Sequence, residues 1–196
     1  MKLVEVFRSL QGEGANSGKS VVFLRLAGCN LNCAFCDTDF RQTNLELTPT
    51  ELLSMIERKY PLCKNVIWTG GEPTLQLTDE VVSLFKSHGY WQAIETNGLK
   101  PAPLGLDYIT LSPKCDLQRV RENYNGRIVG EVRCPIAAGD ALPAIEELPQ
   151  ALHYMVSPIF DGDRMVPENI RHCQFLIERD PRWRLSLQLH KLIGIR

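Results

Sequence analysis

The sequence lacks a charge excess of either sign. Its 22 lysines and arginines nearly balance its 23 aspartates and glutamates, which leaves a formal net charge of -1. A chain with so little net charge creates no broad electrostatic field that would recruit nucleic acid or a membrane surface. We therefore expect neither a nucleic-acid partner nor a membrane partner.

Long apolar segments are also missing, and we expect no leader peptide. The longest apolar runs, such as Val21-Val22-Phe23-Leu24, fall far short of the roughly 20 residues that span a bilayer. Glu5 interrupts the stretch where a signal peptide would be apolar, which predicts a cytoplasmic location. The 196 residues contain no repeat or linker, so we expect a single domain spanning residues 1–196.

Cysteine is present seven times, and its distribution is uneven. Three cysteines lie within eight residues, at Cys29, Cys33 and Cys36, in a C-x3-C-x2-C pattern. In a reducing cytosol such a group indicates metal or redox chemistry rather than disulfides. For the scattered cysteines we predict buried, inert thiols. These are Cys63, Cys115, Cys134 and Cys173.

Short apolar runs alternate with amphipathic stretches along the chain. Strands are predicted at residues 3–7, 20–26, 65–68, 91–95, 107–111, 128–133, 152–156 and 184–188. Helices are predicted at residues 49–59, 78–88, 166–179 and near 140–148. This alternation predicts an α/β fold with a mostly parallel sheet. Because six or so units are too few for a closed barrel, we expect a partial, open (β/α)6-like barrel.

Polar and glycine-rich motifs follow four of the predicted strands. In parallel α/β sheets, ligands bind at the carboxyl ends of the strands. We therefore expect the motifs to contribute to one ligand-binding edge. They are the cysteine run after residues 20–26, Thr69-Gly70-Gly71-Glu72-Pro73, Glu95-Thr96-Asn97-Gly98 and Ser112-Pro113-Lys114.

Two metal centres fit the cysteine run. Three thiolates can hold three irons of a cubane cluster, which leaves the fourth iron open to a small molecule. A zinc site completed by Cys63 or a histidine is the alternative. Structural zinc sites usually use two C-x2-C pairs or Cys–His pairs, and this chain has one C-x2-C. The spacing therefore favours the iron–sulfur cluster.

The C-x3-C-x2-C run after an early strand resembles the radical S-adenosylmethionine (SAM) superfamily. The resemblance implies a [4Fe-4S] cluster on Cys29, Cys33 and Cys36, with SAM bound at the open iron. In that superfamily one electron from the cluster cleaves SAM to a 5′-deoxyadenosyl radical, so no side chain need act as the catalytic group.

The same resemblance implies a set of SAM contacts. From the residues alone, Gly70-Gly71 either lets the backbone approach a ligand closely or forms only a tight turn. Asn97-Gly98 and Ser112-Pro113-Lys114 could likewise be plain turns at strand ends. Ser157 stands where relatives tend to carry a longer glutamine, so its reach toward SAM is shorter. The implied contacts are Phe35, Asp37, Gly71, Glu72, Glu95, Asn97, Ser112, Lys114 and Ser157.

Further motifs resemble the 7-carboxy-7-deazaguanine synthases of queuosine and deazapurine biosynthesis. They are Leu10-Gln11-Gly12-Glu13-Gly14, Arg25, Asp37-Thr38 and the tail from Trp183 to Lys191. The resemblance implies a carbon–nitrogen lyase that converts 6-carboxy-5,6,7,8-tetrahydropterin to 7-carboxy-7-deazaguanine. Ammonia is lost in a radical ring contraction, and SAM is used catalytically. It also implies Mg2+, a flavodoxin-like electron donor and a homodimer.

Residue roles carry over by position. The resemblance implies that Arg25 clamps the substrate carboxylate and that Thr38 ligates Mg2+. Without it, Arg25 could form a surface ion pair and Thr38 could be a turn hydroxyl. The other implied substrate contacts are Leu10, Gln11, Gly12, Glu13, Thr69 and the terminal Arg196.

Two other functions remain open from the sequence. A glycyl-radical-enzyme activase would share the cysteine spacing, but it does not explain Gln11-Gly12-Glu13-Gly14 or Asp37-Thr38. A zinc-stabilised binding module would not be an enzyme at all. Iron content after anaerobic purification separates this module from both enzymes.

Overall fold

The computed structural model describes residues 1–34, 36 and 39–195. The chain forms two compact units. The first contains Met1–Ser9, Ser20–Thr96 and Pro101–Ile109, and the second contains Leu10–Lys19, Asn97–Lys100 and Thr110–Arg196. Within the described residues, no helix is both long enough and apolar enough to cross a membrane.

The first unit is built on five strands and two α-helices. The elements are β1 (Lys2–Leu10), β2 (Ser20–Leu26), β3 (Leu45–Glu46), α1 (Pro49–Lys59), β4 (Asn65–Gly70), α2 (Asp79–Ser87) and β5 (Trp91–Thr96), with a 3-10 turn at Pro73–Leu75. The strands neighbour one another in the order β3-β1-β2-β4-β5. The short β3 pairs antiparallel with β1, whereas β2, β4 and β5 are mutually parallel.

Helix α1 begins where its local sequence predicts. The Thr48 hydroxyl accepts a hydrogen bond from the Glu51 backbone N–H at 3.2 Å, and the Glu51 carboxylate accepts one from the Thr48 N–H at 2.7 Å. Pro49 fits the first helical position because its missing N–H would have no partner there. This reciprocal cap fixes the N-terminus of the helix.

The interior of the first unit combines apolar packing with one fully bonded polar group. Val21, Ile67 and Ala93 form a buried cluster on the three parallel strands. Gln92 is fully buried: its side-chain oxygen accepts from the Trp68 indole N–H at 3.1 Å, and its amide donates to the Val82 carbonyl at 2.8 Å. A buried amide with both ends bonded adds rigidity rather than a desolvation penalty.

The second unit continues the strand–helix alternation. The elements are β6 (Tyr108–Leu111, whose last two residues belong to this unit), α3 (Leu117–Asn123), β7 (Val129–Ile136), β8 (Ala151–Pro158), α4 (Pro167–Arg179), β9 (Trp183–Leu185) and α5 (Leu189–Leu192). The strands neighbour one another in the order β6-β7-β8-β9, and all three pairs are parallel.

Most predicted elements are confirmed to within a few residues, and the α/β class with a mostly parallel, open sheet is confirmed. The helix predicted near residues 140–148 is wrong. That segment holds only a 3-10 turn at Ile145–Glu147. Pro143 and Pro149 bracket the turn, and each proline disfavours helical geometry in the residue before it. Strand β3 and the helices α3 and α5 were not predicted.

Candidate active site

The loop of residues 28–40, called the cysteine loop below, leaves β2 through Gly28. Gly28 has φ +86° and donates its N–H to the Phe40 carbonyl at 2.8 Å, which closes the base of the loop. Cys29 and Cys33 are half-buried and Cys36 is exposed, and all three are free thiols. The predicted position after the second strand is therefore confirmed.

The three thiols influence one another electrostatically. Burial raises the pKa of Cys29 above its ordinary value, although a hydrogen bond from the Leu31 N–H lowers it. The negative charges of Glu72, Cys33 and Cys36 then raise the pKa further. Bringing a cationic cluster to these sulfurs relieves that repulsion and releases their protons. The donor chemistry of the loop thus fits an iron–sulfur cluster.

The donor groups of the loop suit a cluster, but their side chains are not gathered around one point in this structure. Among the residues that the structure describes, no three His, Cys, Asp or Glu side chains are close enough together to hold a metal ion. Cys63 does not complete a zinc site, since its thiol contacts the Ser20 carbonyl at the opposite end of β2. Across the seven-residue β2 that separation is roughly 20 Å at the usual rise per strand residue.

The Gly70-Gly71 turn packs directly against the cysteine loop. A Cβ on Gly71 would lie 1.9 Å from the Gly28 carbonyl oxygen and 3.1 Å from the Cys29 Cβ. A Cβ on Gly70, which has φ +120°, would lie 2.2 Å from the Leu26 carbonyl oxygen. The glycine pair was predicted to let the backbone approach a ligand. In the structure it lets β4 approach the protein's own loop.

Hydrogen bonds secure the same approach. The Gly71 N–H donates to the Leu26 carbonyl at 3.0 Å, and the Glu72 N–H donates to the Gly28 carbonyl at 2.8 Å. The first bond ties the residues just after β4 to the end of β2, and the second ties them to the start of the cysteine loop. The predicted SAM contact of Gly71 remains a prediction.

Glu72 is a buried anchor. The residue is only 1% exposed. One of its carboxylate oxygens, Oε1, accepts three hydrogen bonds. The donors are the Thr74 N–H at 3.0 Å, the Thr74 hydroxyl at 2.7 Å and the Thr96 hydroxyl at 2.7 Å. Thr96, the last residue of β5, was not predicted as a site residue, and no local pattern links it to a carboxylate 24 residues away.

Arg25 lies on β2 with Thr69 as its register partner on β4. Since paired residues of parallel strands share a face, these two predicted substrate contacts lie side by side. The Arg25 Nε donates to Glu5 at 2.8 Å, and each of these side chains keeps 24% of its surface exposed. Its guanidinium also lies 5.9 Å from the centre of the Phe7 ring. The ion pair with Glu5 therefore exists, and it leaves Arg25 partly accessible.

In the second unit, the loop of residues 10–14, called the N-terminal loop below, is closed by backbone bonds around Gln11. The Gln11 N–H donates to the Lys19 carbonyl at 2.8 Å, and the Gly18 N–H donates to the Gln11 carbonyl at 2.8 Å. Gln11 is buried, with 7% of the residue exposed, and its side-chain oxygen accepts from the Glu13 N–H at 3.3 Å. Leu10 is partly exposed.

The C-terminal segment touches the same loop. The Leu189 N–H donates to the Gly12 carbonyl at 2.8 Å, and a Cβ on Gly12 would lie 2.1 Å from the His190 Nδ1. Close packing against His190 therefore favours glycine at position 12, although the backbone angles there would suit other residues. The tail motif that the sequence singled out contributes a support for this loop.

The remaining predicted SAM contacts occur at or just beyond strand ends. Glu95 is half-buried at the end of β5, and Ser157 is buried at the end of β8. The Asn97 side chain accepts from the Leu99 N–H at 3.0 Å, beside Gly98 with φ +80°. The Lys114 ammonium group donates a hydrogen bond to the Ser112 hydroxyl. Phe35, Asp37, Thr38 and Arg196 lie outside the described residues.

The scattered cysteines mostly follow prediction. Cys63, Cys134 and Cys173 are buried, whereas Cys115 is exposed, so the prediction is wrong for Cys115. Burial raises the pKa of Cys134 to about 12 and that of Cys173 to about 11. Thiols with such pKa values stay protonated near neutral pH and are poor nucleophiles.

A superfamily match covers the site described above. Residues 24–134 match the Radical SAM superfamily, a segment that includes the cysteine loop and Glu72. A crystal structure of QueE from Escherichia coli shares the fold, with a TM-score of 0.73 and 24% identity, over 96% of this chain and 94% of that chain. The chain belongs to the radical SAM superfamily, and the predicted open barrel fold is confirmed.

Near full-length relatives narrow the assignment. A 7-carboxy-7-deazaguanine synthase from Haemophilus influenzae is 41% identical over 98% of this chain and 93% of its own length. Enzymes of the same name from Neisseria meningitidis and Bacteroides thetaiotaomicron are each 39% identical, over 99% and 100% of this chain and 93% and 98% of their own lengths. Within the superfamily, the chain belongs to the 7-carboxy-7-deazaguanine synthases.

This membership confirms several predictions together. The chain is an enzyme of the radical SAM type, and its cofactors include a [4Fe-4S] cluster and SAM. It acts on a small molecule. The relatives favour this assignment over the activase and over the zinc-stabilised module.

Proposed function

We propose that the protein converts 6-carboxy-5,6,7,8-tetrahydropterin to 7-carboxy-7-deazaguanine, with loss of ammonia and catalytic use of SAM. The observation that carries the proposal is the near full-length identity to synthases of that name, combined with a three-cysteine loop seated on the Gly70-Gly71 turn. The cluster, when bound with SAM, supplies the radical chemistry.

Cofactor binding is assigned to residues at or just beyond strand ends, beginning with the cysteine loop of the first unit. Cys29, Cys33 and Cys36 hold the cluster. The Gly71 backbone meets the amino group of SAM, in a position fixed by its hydrogen bond to Leu26. Glu72 orients that turn through its bonds to Thr74 and Thr96 rather than by reaching SAM with Oε1. Further SAM contacts are assigned to Phe35, Asp37, Glu95, Asn97, Ser112, Lys114 and Ser157.

Substrate binding is assigned to charged and hydrogen-bonding groups. The partly exposed Arg25 guanidinium has the planar donor geometry that a carboxylate needs, and Thr69 beside it offers a hydroxyl. Leu10, Gln11 and Gly12 read the pterin edge through backbone and amide groups. Glu13 and Arg196 are also proposed as substrate contacts, and Thr38 as the Mg2+ ligand, because a hard cation prefers oxygen donors.

The cellular setting forms part of the proposal. A cytoplasmic enzyme with three cluster thiols needs a one-electron donor, which we assign to a flavodoxin-like protein. We also propose a homodimer, and one catalytic domain spanning residues 1–196. Sedimentation of the cluster-loaded enzyme measures the oligomeric state directly.

An anaerobic assay tests the proposed reaction. The enzyme is reconstituted with iron and sulfide, then supplied with SAM, Mg2+, dithionite and the pterin, and the products are separated by mass. We expect 7-carboxy-7-deazaguanine from the wild type and none from Cys33→Ala. A wild-type enzyme that carries its cluster and cleaves SAM but forms no deazapurine would contradict the proposal.

A further inference from the structure

Two buried charges on β7 lie outside every role assigned so far. Glu131 is fully buried and Arg133 is 5% exposed, on a strand that is otherwise almost entirely apolar. Residues two apart on a strand face the same side, so the two side chains meet. Arg133 Nη1 donates to Glu131 Oε1 at 2.9 Å. Removing one partner of a buried charge pair is costly, because the other charge is then left uncompensated.

The second oxygen of Glu131 holds the backbone that follows the N-terminal loop. Glu131 Oε2 accepts the Ala15 N–H at 2.8 Å. Gly14, with φ +70°, lies so close that a Cβ there would be 2.1 Å from Glu131 Oε1. The carboxylate and the loop backbone are therefore in direct contact. A charged acceptor makes that backbone bond stronger than a neutral one would.

Arg133 extends the same network to a side chain of the loop. Arg133 Nη2 forms an ion pair with Glu13 Oε2 at 3.1 Å, while Arg133 Nη1 donates to Glu131. The guanidinium thus bridges one carboxylate in the N-terminal loop and one on β7. Because a planar guanidinium offers donors in a fixed fork, this bridge sets a direction as well as a distance.

A hydroxyl completes the support from the C-terminal side. The Ser186 Oγ accepts the Gly14 N–H at 2.9 Å, and Ser186 is 4% exposed. The Gly14 and Ala15 amides are consequently both bonded to side chains that lie more than 100 residues away in sequence. Groups of the protein itself therefore restrain the loop backbone at Gly14 and Ala15.

We infer that Glu131 and Arg133 are positioning residues for pterin recognition. They act through the N-terminal loop by fixing the backbone at Gly14–Ala15 and the side chain of Glu13, so that Gln11 and Gly12 present their hydrogen-bonding groups in one orientation. The inference rests on the proposed function, because it assigns residues 10–12 to the pterin edge. Loss of this support lowers affinity for the pterin and leaves the cluster and SAM unaffected.

Glu131→Asp is the decisive variant. It keeps the charge that Arg133 needs but withdraws the oxygen from the Ala15 N–H by one methylene. In the anaerobic, cluster-loaded enzyme we expect the KM for the pterin to rise about tenfold, as for loss of one charge-assisted hydrogen bond. The KM for SAM and the iron content should stay at wild-type values. Amide exchange of a peptide spanning residues 10–19 should accelerate.

A surface variant provides the matched control. Glu168→Asp makes the same change in the same unit, at a carboxylate paired with Arg171 on the exposed face of α4. It should leave both KM values and the loop exchange unchanged. Ser186→Ala removes the acceptor of the Gly14 N–H without touching a charge, and it should raise the pterin KM about threefold. Ser186→Ala decides the question if Glu131→Asp does not fold.

The possible outcomes separate the two proposals. If the wild type forms no deazapurine, the proposed function fails. If the wild type is active but Glu131→Asp and Ser186→Ala keep both the pterin KM and the loop exchange of wild type, the inference fails. A parallel rise in the KM for SAM with loss of iron would also overturn it, since that pattern shows a general structural role.

Discussion

The cysteine loop and the N-terminal loop are held by different kinds of contact. Main-chain hydrogen bonds and two closely packed glycines support the cysteine loop, and its thiols remain half-buried or exposed. The N-terminal loop also has backbone bonds, at Gln11 and Gly12, but it is supported in addition by the buried charged side chains of Glu131 and Arg133. A backbone-held loop can keep its side chains for a cofactor, whereas a loop that reads a substrate through its own backbone needs side-chain supports from elsewhere.

The largest effect should come from a cluster thiol. Cys33→Ala removes one of the three proposed iron ligands, and Cys63 cannot replace it because Cys63 lies at the far end of β2. We expect loss of bound iron and of all SAM cleavage, measured by iron analysis and by 5′-deoxyadenosine formation. Cys115→Ala, at an exposed thiol outside the loop, serves as the control. An intact cluster in Cys33→Ala would refute the loop assignment.

A methyl group at Gly71 tests whether the backbone supports the cysteine loop. Gly71→Ala forces the turn away from the Gly28 carbonyl, which lies 1.9 Å from the new Cβ. Displacement on the order of 1 Å beside a reacting centre costs roughly a hundredfold in rate. We expect such a loss of product formation, with lowered iron content after reconstitution.

Gly89→Ala is the control for that experiment. Gly89 has φ +78°, and a Cβ there meets nothing within 4 Å, so the substitution introduces backbone strain without steric conflict. It should lower stability modestly and leave iron content unchanged. If the two variants behave alike, close packing at Gly71 is not what positions the loop.

The Thr96–Glu72 bond should have a smaller effect. Thr96→Val keeps the side-chain shape but removes the hydroxyl that donates to Glu72 at 2.7 Å. Since the Thr74 bonds remain, we expect a rise of about threefold to tenfold in the KM for SAM and an unchanged cluster. The matched change Thr50→Val, on the exposed surface of α1, should have no effect. An unaltered KM for SAM in Thr96→Val would show that the Thr96–Glu72 bond does not orient the turn that binds SAM.

The smallest effect is on stability in alkali and lies outside both loops. Burial raises the pKa of Cys134 from 9.0 to about 12 in the folded protein, so the unfolded chain loses its thiol proton first as pH rises. The stabilisation from this group is complete below pH 9 and is lost between pH 9 and about 12. Between these pH values, the contribution of this group to the free energy of unfolding falls by about 1.4 kcal/mol per pH unit.

Denaturant unfolding at pH 8 and pH 10 measures that slope. The wild type should lose more stability over this interval than Cys134→Ala does, because only the wild type carries the buried thiol. Comparing the two proteins cancels the titration of groups that they share. Equal losses would show that Cys134 is more accessible to hydroxide than its burial indicates.

Local signals explain which parts of the fold and site were predictable. Thr48, Pro49 and Glu51 carry the whole start of α1 in four residues, so the helix was found. The cysteine spacing likewise lies within one loop. The segment around Pro143 resembled an amphipathic helix, but proline geometry allowed only a 3-10 turn.

Partners distant in sequence explain the rest. The hydrogen bonds between Thr96 and Glu72 and between Ser186 and Gly14 join residues that become neighbours only when the strands assemble. Glu131 and Arg133 did leave a usable sign, because two charges two residues apart interrupt an apolar strand and must face the same side. That pattern indicates a buried pair, although it does not say which loop the pair supports.

The ratio of product formed to SAM consumed tests the central claim most directly. It is measured in the anaerobic, cluster-loaded enzyme with a saturating amount of the pterin and a limiting amount of SAM. The account predicts many molecules of 7-carboxy-7-deazaguanine for each SAM consumed, because SAM is regenerated in every cycle. SAM consumed without any deazapurine, or one SAM lost for each product, would contradict it.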